Sequence, residues 1–157
     1  MELVYDVAHN IAKVERYAEG LVVVHRKGAT RAFGPGSPEL PEVFRQTGQP
    51  IICGGSMETG SYLLVGTDRA VRDTFGSTMH GPGRTMSRAQ AKRTIRGGEL
   101  QQQMQQRGIL VKAVSMSGLA EEAGLAYKNI SDVVESVERA GITKKVLELR
   151  PIGNIKG

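Results

Sequence analysis

The chain has three histidines, His9, His25 and His80, in unlike settings. His80 lies in "STMHGPGR", residues 77–84, between a short polar run and two glycines, with Arg84 closing the segment. Neutral imidazole is a nucleophile near physiological pH and also a metal ligand. Gly81 and Gly83, either side of Pro82, let backbone approach an anion closely, and Arg84 adds a cation. His9 precedes Asn10 in "VYDVAHNIAK" and suits either one place in a metal site or a structural or surface role. His25 sits inside an apolar run and reads as structural. No histidine pair has H-x-x-x-H spacing and Cys53 is the single cysteine, so spacing gives no zinc-type site made wholly within the chain.

Two further segments suit phosphate chemistry. Glycine clusters at Gly54-Gly55, Gly81/Gly83 and Gly97-Gly98. "GGSMETGS" between two apolar runs is either a phosphate cradle of backbone amides or a tight turn. It is not a Walker A loop, because no lysine followed by serine or threonine stands in the required places. "HRKGATRAF" sets Arg26, Lys27 and Arg31 around a glycine turn, which holds phosphate oxygens or is simply solvated.

The elements that must position these residues are short. A strand is expected over 3–7, then a helix through "AHNIAKVERYAEG", where Ala8, Ile11, Ala12 and Glu15 fall at helical spacing. "LVVVHRK", 21–27, is a β-branched strand, followed by a loop marked by Pro35, Gly36 and Pro38. "QPIIC" and "SYLLVG" are strands, and "STMHGPGR" is a loop. Ser87 opens a helix, with Gln90 completing a capping box. Gly97-Gly98 breaks that helix, and "ELQQQMQQRG" resumes it to Gly108. "ILVKAV" is a strand, and "SDVVESVERAG" is a helix with Val133, Val134, Val137 and Ala140 on one face. "TKKVLELRP" is a last strand before a short tail, "IGNIKG". The expected class is α+β, in one domain over 1–157.

Composition narrows the function. Among 157 residues, 21 Lys and Arg stand against 16 Asp and Glu, a net charge of +5. Such an excess suits a polyanion such as nucleic acid, or an ordinary basic domain. Four tyrosines, three phenylalanines and no tryptophan argue against a single-strand binder built on aromatic stacking. No apolar run approaches the roughly 18 residues of a membrane span. The first residues lack the pattern of a signal peptide, and one cysteine makes no internal disulfide. A reducing, cytoplasmic setting is the expectation.

Taken together, "VYDVAHNIAK", "VHRKGATRAF", "GQPIICGGSMETGSYLLVG", "STMHGPGRTMSR", "LAEEAGLAYKNISDVVE" and "RPIGNIKG" resemble the RtcB family of RNA ligases, in the family's order. That family joins 2′,3′-cyclic phosphate or 3′-phosphate RNA ends to 5′-hydroxyl ends. The resemblance implies the C-terminal part of the RtcB-like fold, with His80 as the nucleophile that attacks the α-phosphate of GTP and becomes GMP-histidine. It makes His9 a Mn²⁺ ligand and puts Asn10 beside the nucleotide phosphates. It makes Gly54, Gly55, Ser56, Met57 and Ser61 a nucleotide-binding loop, places Gly81, Pro82 and Gly83 beside the guanylate, and sets Tyr127 and Lys156 against the guanine. Arg26, Lys27, Arg31 and Arg84 would hold RNA. The implied partners are tRNA halves or broken RNA ends, a separately supplied N-terminal half and an archease-type activator.

The chain departs from the family pattern in places. Met79 stands for a usual cysteine and Pro82 for an alanine, which removes one N–H donor. Gly54, Glu58 and Gly60 replace a usual proline, glycine and alanine, and Glu58 would set negative charge near an anion site. The N-terminal part of the family supplies an aspartate, a cysteine and two further histidines as metal ligands, and the resemblance does not reach them. The alternative expectation is a non-catalytic RNA- or guanine-nucleotide-binding relative, or an accessory subunit completed by an N-terminal half.

Overall fold

The computed structural model describes residues 3, 5–18 and 20–156. In chain order its elements are β1 (Asn10–Tyr17), β2 (Gly20–Lys27), β3 (Ala29–Arg31), β4 (Pro50–Cys53), β5 (Ser61–Gly66), α1 (Asp68–Thr74), β6 (Ser77–Met79), α2 (Arg88–Thr94), α3 (Gly97–Gln106), β7 (Leu110–Ala113), α4 (Met116–Glu121), α5 (Ile130–Arg139), β8 (Thr143–Leu149) and β9 (Gly153–Lys156). β1 pairs with β2, β3 with β6 and β7 with β9, and β4, β5 and β8 form a three-stranded sheet in that order. This is the α+β class expected from the sequence. Two compact units can be described: residues 1–53, 62–81 and 134–147, and residues 54–61, 82–133 and 148–157. No helix among the described residues is long and apolar enough to cross a membrane.

In the first unit the segment expected as a helix is the strand β1. It runs antiparallel to β2, with Asn10 opposite Lys27 and Tyr17 opposite Gly20. The helical spacing of Ala8, Ile11, Ala12 and Glu15 is coincidental; the β-branched run of β2 offers a full ladder, and tertiary pairing overrides a weak periodicity. Inward, Glu15 is 1% and Arg26 2% exposed, while Val14 and Val23 face each other on the open side. Of the strand expected over 3–7, residues 3 and 5–7 are irregular and Val4 lies outside the described residues.

The rest of this unit carries "STMHGPGR" into place. Its first three residues are not loop: β6 runs antiparallel to β3, with Ala29 opposite Met79. Phe33, Ile51, Cys53, Leu64 and Ala70 are buried beneath. Burial pushes the Cys53 thiol up to about 11, so the lone cysteine is an inert core group. Thr67 caps α1 by accepting the Ala70 N–H. The helix ends on two left-handed residues, Phe75 at φ 49° and Gly76 at φ 54°. A Cβ at position 76 would lie 2.5 Å from Cε1 of Phe33, so glycine is required there twice over.

In the second unit, Ser87 accepts the Gln90 N–H at 3.1 Å and opens α2, as the capping signal predicts. The helix stops at Thr94, and the two glycines begin α3 instead of lying in a gap. Leu100 and Met104 of α3 join Met57, Val111 and Leu119 in the core. The expected tail is a strand: β9 runs parallel to β7, from Leu110 opposite Gly153 to Ala113 opposite Lys156. Local periodicity cannot show a strand that exists through a distant partner. Gly157 lies outside the described residues. The α5 helix, whose residues 134–139 belong to the first unit, is narrower in its buried face than expected, with Val134 buried, Val133 and Val137 half-buried and Ala140 exposed.

Candidate functional site

The β3–β6 ladder ends at His80, where two of the three histidines meet. His80 follows β6 and is exposed, and its ring stacks on that of His9 with centroids 4.8 Å apart and planes at 29°. Gly28, at φ 71°, donates its N–H to the His9 carbonyl at 2.8 Å. A Cβ at that position would lie 3.5 Å from Nε2 of His80. Gly28 therefore fixes one histidine through its amide and lies beneath the other. Asn10 and Lys27, opposite each other in the β1–β2 ladder, flank the pair and are both exposed. Desolvation lowers the His80 pKa below its ordinary 6.5, and the neighbouring His9 lowers it further, outweighing a backbone hydrogen bond. An imidazole so placed is neutral at pH 7, with a lone pair available.

The basic segment is not the free phosphate surface expected of Arg26, Lys27 and Arg31. Arg26 is buried, with Nη1 2.9 Å from Glu15 Oε1 and Nη2 2.7 Å from Glu15 Oε2. Arg31 is 14% exposed at its side chain, with Nε 2.9 Å from Glu15 Oε1. A cation at an inward strand position needs an internal counter-charge, and Glu15 supplies it. Lys27 is the member of the three left exposed.

In the second unit "GGSMETGS" closes on itself. Gly55 N–H donates to Ser61 Oγ at 3.2 Å, Ser56 N–H to Thr59 Oγ1 at 2.9 Å, and Glu58 N–H to Ser56 Oγ at 3.2 Å. The loop is a tight turn, and these three amides are bonded inside it. Gly54 is exposed beside it. Met57 puts its side chain in the core, and its carbonyl accepts from Asn154 Nδ2 at 3.0 Å. A cavity of about 230 Å³ opens here, lined by Ser56, Ser61, Arg150, Asn154 and Lys156 among others. Glu58 does not face an anion site unpaired: it accepts the Gly124 N–H at 2.5 Å and is ion-paired to Arg107.

Tyr127 and Lys156 are joined through Glu122. The Tyr127 hydroxyl donates to Glu122 Oε2 at 2.6 Å, and Lys156 Nζ lies 3.8 Å from the same oxygen. Burial, and then the Glu122 hydrogen bond, raise the Tyr127 pKa, keeping it a donor. Arg84 is not a free RNA contact either. Its Nη1 donates to Tyr127 Oη at 2.7 Å, its Nη2 to the Glu121 carbonyl at 2.5 Å, and its guanidinium lies 4.6 Å from the centre of the Tyr127 ring. Gly83 and Thr85 hold it there by backbone bonds to Lys128 and Ala126. Of the remaining loop residues, Gly81 is half-buried and Pro82 buried.

Sequence reasoning passed over Gly28, Glu15, Glu122 and Asn154. The acid pair five residues before Tyr127 was a readable signal for Glu122; Gly28 and Glu15 depend on strand register and gave none. Among the described residues no three His, Cys, Asp or Glu side chains gather as a metal site. His9 offers one imidazole donor, so the residues of this chain do not by themselves fit the Mn²⁺ that the resemblance implies.

An exposed imidazole pair and a small cation-lined cavity on an α+β scaffold are parts suited to phosphate chemistry. The family model described as tRNA-splicing ligase RtcB matches residues 1–157, and the chain belongs to that family. Relatives named tRNA-splicing ligase RtcB include one from Archaeoglobus fulgidus, 58% identical over 100% of this chain and 33% of the relative. One from Pyrococcus furiosus is 54% identical over 100% of this chain and 17% of the relative. One from Methanococcus maripaludis is 50% identical, with 34% of its length covered. The chain thus spans about a third or less of the curated relatives it matches.

Proposed function

We propose that this chain is the nucleophile-bearing portion of an RNA ligase that joins 2′,3′-cyclic phosphate or 3′-phosphate ends to 5′-hydroxyl ends. The observation that carries the reading is His80: an exposed imidazole with a lowered pKa, stacked on His9 and supported by Gly28. A ring nitrogen of His80 attacks the α-phosphorus of GTP. The P–N bond forms, the bond to the β-phosphate oxygen breaks, and pyrophosphate leaves. Ser56, Ser61, Asn154 and Lys156 serve the nucleotide, and Tyr127 acts with Lys156 through Glu122. The partners are RNA ends and the part of the family's chain that this one does not span, which supplies the remaining metal donors. A second reading, an accessory chain inactive without that part, is favoured by the single metal donor, His9.

The nucleotide assignment is tested by GMP titration. Lys156→Met removes a charge-assisted donor and weakens GMP binding on the order of tenfold to a hundredfold. Removal of residues from 154 onward weakens it further, because β9 and the Asn154–Met57 bond go too. Unchanged affinity in both variants means that guanylate binds elsewhere.

RNA contact is tested by salt dependence. Lys27→Ala lowers the slope of log affinity against log salt by about 0.7–0.9, the contribution of one phosphate contact. An unchanged slope moves the RNA surface away from β2.

A further inference from the structure

We infer that Arg26 is a positioning residue for His80, fastening the left-handed turn from which the histidine is strung; the inference rests on the reading of His80 as nucleophile. Arg26 reaches beyond Glu15. Its Nη2 lies 2.8 Å from the Phe75 carbonyl oxygen and 3.3 Å from that of Gly76, and its Nε lies 2.8 Å from Ser77 Oγ. Three successive residues, Phe75, Gly76 and the first residue of β6, are thus gripped by one guanidinium shortly before His80. Two of them, Phe75 and Gly76, have positive φ. Phe75 pays the steric cost of a side chain in that region, so the turn persists only where its surroundings over-determine it. Arg26 does so with a planar fork of donors that a lysine ammonium cannot reproduce.

The geometry joins both ends of β6 to one stretch of chain. Arg26 grips the residues entering the strand, and Gly28, two residues on, lies against the ring of His80 leaving it. The Glu15 carboxylate, whose Oε1 also faces Arg31, anchors the guanidinium from β1. The Tyr17 hydroxyl, bonded to Glu15, also lies 2.8 Å from the Phe75 carbonyl. A shift in the turn is therefore transmitted along three residues to the imidazole.

Arg26→Lys is the decisive variant, because it keeps the charge facing Glu15 and removes the fork. Fold is read from amide protection in the β1–β2 ladder, and the histidine from proton–proton contacts of the His80 ring with His9 and Gly28. Guanylylation is followed with GTP, Mn²⁺ and the N-terminal portion of the family's chain supplied. The folded variant loses the ring contacts. Its guanylylation at saturating GTP slows on the order of a hundredfold, while half-saturation by GTP is unchanged, as for a misplaced reacting group. Where Arg26→Lys does not fold, Ser77→Ala removes one acceptor only and slows guanylylation about tenfold with weakened ring contacts. Intact ring contacts in either folded variant overturn the inference. A loss of rate that merely follows the unfolded fraction also overturns it, by reducing Arg26 to a stability role. Should the parent chain never be guanylylated while its ring contacts still respond to the variants, the positioning stands and the nucleophile reading falls.

Discussion

Glu15→Gln lowers the folding stability of this chain by about 3–5 kcal/mol at pH 7, the range for breaking a buried ion pair by removing one partner. The substitution keeps shape and leaves Arg26, 2% exposed, without its carboxylate partner and beside Arg31, whose other acidic neighbour is the exposed Glu39. The same pair sets an acid limit. Burial alone would push the Glu15 carboxyl up, but hydrogen bonds from Arg26 and Tyr17 and the charges of Arg26 and Arg31 outweigh it, and its pKa lies below the ordinary 4.5. A carboxyl depressed on folding stabilises at pH above its unfolded value, and that contribution disappears as pH falls through the folded value. The parent chain therefore loses this increment below about pH 4.5, and Glu15→Gln, having no carboxyl there, does not. Urea unfolding at pH 7 and at a series of acid pH values checks both statements. Equal stability of the two proteins at pH 7 would mean that the Glu15–Arg26 pair contributes nothing.

His80→Ala abolishes guanylylation altogether, and no addition of Mn²⁺ restores it, because the bond-forming nitrogen is gone. His25→Ala spares it. The structural role expected for His25 gives way to an exposed position on β2 opposite Ala12, on the face away from Glu15 and Arg26. His9→Ala lowers labelling by removing the stacked ring and the imidazole proposed to hold Mn²⁺, and added Mn²⁺ recovers part of the loss. Intact mass after incubation with GTP, with the N-terminal portion of the family's chain present, reads all three variants. Labelling of His80→Ala at the parent level would contradict the assignment.

What the sequence made legible was local. The β-branched run of β2, the apolar run of β5, the Ser87 cap and the amphipathic spacing in α5 each satisfy their own short-range rule, and each element forms. What it hid was pairing. The strand β1 carries a helical spacing by accident, and its inward carboxylate makes sense only against Arg26, 11 residues away and across the ladder. The strand β9 exists because β7 offers it an edge. The candidate site divides the same way. His80 could be singled out by residue type and its glycine-rich setting. That Arg26 lies inside the protein, that Gly28 lies beneath His80, and that Glu122 joins Tyr127 to Lys156 all follow from register and packing. The glycine-turn segment and the resemblance set Arg26, Arg31 and Arg84 against RNA, because neither shows an internal partner.

If His80 accepts guanylate, the adduct maps to its imidazole. The chain is incubated with GTP and Mn²⁺ together with the N-terminal portion of the family's chain, then digested, and the modified peptide is sequenced by mass spectrometry. One GMP group is expected on His80, released by mild acid as a phosphorus–nitrogen bond requires. A GMP group on any other residue, an acid-stable linkage, or no adduct with both portions present would contradict it.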